Sequence, residues 1–177
     1  VQAGLPQGVA VPLHADIAAH LSEARAEPIR IADHWLAAGE PLRAEPYLNE
    51  AATRAASVWR RREAAALQRR RAAILQAAQR SDEAFEAWFA AADIAVDLGS
   101  IDDAQACQAA LTELARGPAQ ATACAFISSW VEYHLGEQEA ALRIARNALA
   151  GARHASAKVE VLLLQHVSTM LWERREV

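Results

Sequence analysis

The sequence predicts an all-α protein, an irregular α-solenoid of about nine antiparallel helices. Alanine fills about a quarter of the 177 positions while glycine, proline and β-branched residues are sparse, a mixture that favours helix over strand. Helix-boundary residues recur at short intervals, and the runs between them carry apolar residues at helical spacing. The connections these signals leave are short. Neighbouring helices must therefore pack antiparallel and stack as hairpins rather than close into a globule.

A loose lead-in, residues 1–11, precedes a single repeat domain over 12–177, which reads as a piece of a longer chain. Pro12 opens the first helix (12–25), Pro28 the second (28–38) and Pro41 the third (41–56). A first-turn proline lacks only an N–H that has no helical partner anyway. Gly39 ends the second helix by supplying a left-handed residue. The fourth helix (60–79) carries the arginine-rich run RRREAAALQRRR. Ser81-Asp82-Glu83 caps the fifth (82–98), which Gly99 ends; Ser100 with Asp103 caps the sixth (101–116), which Gly117 ends. Pro118 opens the seventh (119–135), Gly136 closes it, and the eighth spans 138–153. Ser156 caps the ninth (156–174). Its VEVLLLQHV run looks strand-like, yet Val159, Leu162, Leu163, His166, Val167 and Met170 keep the spacing of a helix face.

An internal register runs through these helices. In the first copy Ala32, Trp35, Gly39, Ala44, Leu48 and Ala51 place small residues where two backbones approach, large ones in the volume between, and glycine at the reversal. Ser129, Glu132, Gly136, Ala141, Ala145 and Ala148 form a second copy, and Ala72, Leu75, Gln79, Ala84, Trp88 and Ala91 a third. A fourth (Ala92, Ala95, Gly99, Ala104, Gln108, Leu111) overlaps the third, which leaves the pairing of the middle helices open. The pattern resembles the tetratricopeptide repeat (TPR), although Ala44, Ala84 and Ala141 lie 40 and 57 residues apart against a usual period of about 34. The array is TPR-like and irregular.

A narrower resemblance covers residues 13–98. It is carried by Leu13-His14, Ile31-Ala32, His34-Trp35, Ala38-Gly39-Glu40, Arg43-Ala44, Tyr47-Leu48 and Ala51-Ala52. These look like the helical module that follows the nucleotide-binding domain in bacterial STAND-class regulators (signal-transduction ATPases with numerous domains). The segment has no GxxxxGK[ST] phosphate loop, so it implies no cofactor here; ATP belongs only to an upstream domain, by that resemblance.

Composition narrows the function classes. A net charge of −4 and a pI near 5.9 lack the footprint of a nucleic-acid binder, and no direct nucleic-acid binding is expected. No apolar run reaches a membrane span and no signal segment opens the chain, so a cytoplasmic protein with no membrane partner is expected. Cys107 and Cys124 have no metal-ligand or CxxC spacing and read as reduced, buried small side chains. The six histidines form no i,i+4 pair and carry no HExxH, and the carboxylates are scattered singly. No catalytic or metal-ligating residues are assigned.

Two features remain as candidate partner contacts. On a helical projection Arg62, Arg69 and Arg80 fall on one line, either a solvated face or a dock for acidic protein surface, phosphate or nucleic acid. Trp35 and Trp88 sit at repeat core positions, whereas Trp59 and Trp130, with Tyr133, are candidate anchors for a ligand segment, packing being the competing reading. The expected function is non-enzymatic: a protein-interaction and signal-sensing repeat module of a bacterial transcriptional regulator, coupling a protein or peptide partner to an upstream nucleotide-binding domain. A small-molecule effector sensor and a free-standing oligomerising scaffold or adaptor are the alternatives.

Overall fold

The structure, a computed structural model, describes residues 7–151 and 156–173. It is all-helical: among the described residues there is no strand, and nine helices follow in order. They are α1 (Gln7–Glu23), α2 (Pro28–Ala37), α3 (Pro41–Ser57), α4 (Arg61–Ala77), α5 (Ser81–Asp97), α6 (Ile101–Leu114), α7 (Pro118–His134), α8 (Gln138–Gly151) and α9 (Ala157–Glu173). The single repeat domain read from the sequence divides into two compact units, Val1–Ala87 and Trp88–Val177, the division falling inside α5. In the first unit α1 packs on α2, α2 on α3 and α3 on α4; in the second α7 packs on α6, α8 and α9, and α8 on α9.

One turn, used repeatedly, sets the spacing. Gly39, Trp59, Gln79, Gly99 and Gly136 all have left-handed φ, between +60° and +92°. After each, the next residue's N–H bonds the carbonyl five positions back: Glu40 to Trp35, Arg60 to Ala55, Arg80 to Leu75, Ser100 to Ala95 and Glu137 to Glu132, each at 2.9 Å. This Schellman closure satisfies the orphan carbonyls of the ending helix. The same residue then starts the next helix, its carbonyl accepting from Ala44, Ala64, Ala84, Ala104 and Ala141 respectively. All five alanines are at most 1 % exposed.

α3, α4, α5 and α6 begin at residues 41, 61, 81 and 101, a step of 20. The same turn precedes each of these four helices, so the overlapping copies of the register follow one 20-residue step. A further copy runs through Ala52, Ala55, Trp59 and Ala64. In the Ser129–Ala148 copy the contact between the first and fourth register positions is explicit: the buried Ser129 Oγ donates to the Ala141 carbonyl at 2.8 Å. Ala32, Trp35, Leu48, Ala51 and Ala148 are buried as the register requires. Trp88 is half-buried, with Phe85 and Phe89 filling the core of α5 beside it.

Several boundaries differ from expectation; Gly117 is the extended N-cap of α7, at φ −148°, rather than the left-handed end of α6, which closes at Leu114. α1 opens at Gln7 within the expected lead-in, which puts Pro12 inside the helix, and Pro46 lies inside α3 as well. Each is the sixth residue of its helix, so the carbonyl left without a donor is in the first turn; in α3 it belongs to the exposed Leu42, where water reaches it. Ser81 is the first helical residue of α5, with Arg80 in the capping position. Ser100 does cap α6, but its hydroxyl donates to Asp103 at 2.9 Å instead of accepting from the backbone.

A left-handed non-glycine residue costs about 1–2 kcal/mol, while glycine at the same place costs about 0.4–1 kcal/mol through the unfolded chain. Gln79→Gly is therefore expected to stabilise the protein by up to about 1 kcal/mol. A urea midpoint that falls instead would show that the Gln79 side chain holds the turn.

Candidate functional site

Trp59 occupies the turn slot that Gly39, Gly99 and Gly136 fill elsewhere, at φ +63°. It gains little burial in return, since 78 % of it is exposed, and the preceding Val58 is 60 % exposed. An indole held in solvent at a backbone position suited to glycine is strain without a packing reward, a combination that accompanies function more often than stability.

Beside it lies a pocket of about 310 Å³ where the start of α2, the end of α3 and the start of α4 converge. Pro28, Ile29, Ala51, Ala55 and Val58 give it an apolar lining, and Glu27, Arg54, Arg60 and Glu63 supply charge. The volume suits one large apolar side chain or a small ligand. Arg54 pairs with Glu50 at 2.6 Å and Arg60 with Glu63 at 3.6 Å, all four being substantially exposed. Such pairs are weak and exchange readily for an incoming carboxylate. The Arg61 guanidinium lies 4.9 Å from the centre of the Trp59 ring, a cation–π contact that orients the indole.

The three arginines of the projected line do not form one free strip. Arg62 is exposed with no ion-pair partner among the described residues. Arg69 is half-buried, and Arg80 is clasped by both carboxylate oxygens of Glu83. Two other arginines of α4 act as staples, Arg70 reaching Asp33 of α2 at 2.9 Å and Arg71 reaching Glu45 of α3 at 2.5 Å.

Of the two readings of Trp130, ligand anchor and packing, the structure supports packing. It is 7 % exposed and stacked on His134, with ring centres 3.9 Å apart. α7 touches three other helices, so its flanks are covered where those of a two-neighbour helix would be open. Tyr133 is committed within the protein too. Its hydroxyl donates to Glu173 of α9 in a short hydrogen bond that, with some burial and the carboxylate's charge, pushes the phenol up to about 12.

The histidines are less isolated than their spacing suggests. His14 and His34 meet across α1 and α2 with their Nδ1 atoms 2.8 Å apart and ring centres 5.0 Å apart. The ring centres lie beyond the nitrogens on a nearly straight line, which is the geometry of one imidazole donating to the other rather than of two lone pairs converging on a metal. Among the described residues no group of three or more His, Cys, Asp or Glu is placed to hold a metal ion. Cys107 is buried and Cys124 half-buried; burial pushes the Cys124 thiol up, away from its reactive form. No described helix is long and apolar enough to cross a membrane.

The Trp59 turn was partly legible in advance. Trp59 stands beside an arginine run, but a stronger signal lies 20 residues either side, where Gly39 and the left-handed Gln79 mark the same slot. The pocket beside it was not legible, because its lining comes from three helices. No protein-family model matches the chain, and no characterised protein or solved structure is detectably similar to it.

Proposed function

We propose that this chain is a helical-repeat interaction module that grips a protein segment at Trp59, the segment inserting an apolar side chain into the adjoining pocket and setting carboxylates against Arg60 and Arg62. The observation that carries the reading is the 78 % exposed indole in a left-handed slot that glycine fills at three other turns and Gln79 at a fourth. Exposed tryptophan and arginine around an apolar pocket are the residues in which binding energy concentrates. In the regulator that the STAND resemblance implies, the gripped segment belongs either to a signalling partner or to the nucleotide-binding domain itself. A partner that binds one arrangement of that regulator better than another shifts its population by the difference in affinity.

Trp59→Gly separates binding from folding. Relief of the left-handed strain offsets the loss of a mostly exposed ring, so stability should be unchanged or higher by about 1 kcal/mol. Peptides selected from a random library on the immobilised chain should bind the variant at least about 30-fold more weakly, the effect of losing a hot spot of about 2 kcal/mol. Peptides that bind wild type and W59G equally well would place the interaction elsewhere. The regulator half of the proposal is tested separately, by whether the gene encodes a phosphate loop upstream of Val1.

A further inference from the structure

α9 is held by α7 and α8, and its contact with α7 is built around a histidine. His166 is 9 % exposed, set edge-on to Phe126 at 6.2 Å and to Tyr133 at 5.6 Å. Its Nε2 is buried without a hydrogen-bond partner among the described residues. The Ser129 backbone favours the charged ring, but at Nε2 no described residue is placed to share a proton.

The ionisable groups around this ring come from α7 and from α9 itself. α7 presents His134 and Tyr133, and α9 presents Glu173, which is engaged by the Tyr133 hydroxyl. The buried side chains of α8 (Ala141, Leu142, Ala145 and Ala148) carry no charge, and its Arg143 and Arg146 are exposed. No carboxylate is placed to receive a proton on Nε2. A proton there creates a buried cation whose new N–H faces ring edges, beside a second histidine whose positive form repels it.

We propose that α9 is an acid-released clamp: uptake of a solvent proton at His166 Nε2 expels the imidazole from between Phe126 and Tyr133 and frees α9 from α7. Burial first, and then the nearby His134, lower the ring from its ordinary value of 6.5, with the Ser129 carbonyl opposing. The sign follows from linkage. In the detached helix the ring regains its ordinary value, so between the lowered value and 6.5 the detached state binds the extra proton. The contribution of the clamp is complete above that window. Within it, the opening equilibrium grows about tenfold for each unit that the pH falls.

Hydrogen exchange on the whole chain at pH 7.5 and pH 5.0, corrected for the intrinsic rate, tests the clamp. Amides of α9 should lose protection on acidification, and those of α3 and α4 should not. His166→Leu removes the titrating group, so its α9 should keep the same protection at both pH values. A wild-type α9 indifferent to pH, or an equal acid loss in H166L, would overturn the proposal. Should H166L fail to fold, the His166 Cε1–H resonance of the wild type gives the second arm. It must remain neutral while α9 resonances stay native and change only together with them; a protonated His166 in a native α9 would also overturn the clamp.

Discussion

Arg71→Met should destabilise the protein by about 2–3 kcal/mol, among the largest effects of any single change at a charged position. Arg71 and Glu45 lie on facing helices with side chains 17 % and 10 % exposed, and Nε donates to the carboxylate at 2.5 Å. Removing the guanidinium leaves Glu45 charged, nearly buried and unpaired. Breaking a fully buried pair costs about 3–5 kcal/mol, and residual solvent access here places the value below that range. The pair itself is worth far less than its breakage. Glu45→Leu combined with Arg71→Met should therefore recover most of the loss, because both charges then escape desolvation. Urea denaturation of the two single variants and the double variant measures this. A double variant as unstable as the sum of the singles would mean that the pair contributes through something other than its mutual charge.

Ala64→Leu should cost about 2 kcal/mol and Ala66→Leu less than about 0.5 kcal/mol, although the two residues are neighbours of one type on one helix. Ala64 is 1 % exposed, five residues after the left-handed Trp59, and stands where α3 and α4 approach closely. Three added heavy atoms there must displace backbone or force a neighbour off its rotamer. Ala66 faces solvent and receives the same atoms freely. The comparison tests the 20-residue step itself, since only that step puts Ala64 in register with Ala44, Ala84 and Ala104. Equal losses at the two positions would leave the step without energetic meaning.

Much of this fold is readable from the chain because its turns are local. A left-handed residue, the capping residue after it and a small residue five positions on lie within one stretch of sequence, so Gly39-to-Ala44 and Gly136-to-Ala141 identify themselves. Trp59 and Gln79 hide the same turn because glycine is only the cheapest occupant of a left-handed slot, and spending strain on a tryptophan disguises the pattern. Pro12 misplaced a helix start for a related reason: proline is favoured in the first turn, yet α1 carries it as its sixth residue.

The candidate site and the clamp depend on a different kind of information. Arg71 with Glu45 is a contact across 26 residues, Ser22 with Tyr47 across 25, His14 with His34 across 20 and Tyr133 with Glu173 across 40. Each requires the rotation of a helix about its own axis and the identity of the helix beside it. Helical spacing fixes only which residues share a face. The sequence by itself determined an all-helical chain, most of its boundaries and the small residues that line its reversals, because these follow from backbone sterics within a turn or two. Only the tertiary structure decided that Trp130 is core, that Trp59 stands beside a pocket and that His166 Nε2 is sealed without a hydrogen-bond partner, because burial is a property of what lies opposite a side chain and not of its neighbours along the chain.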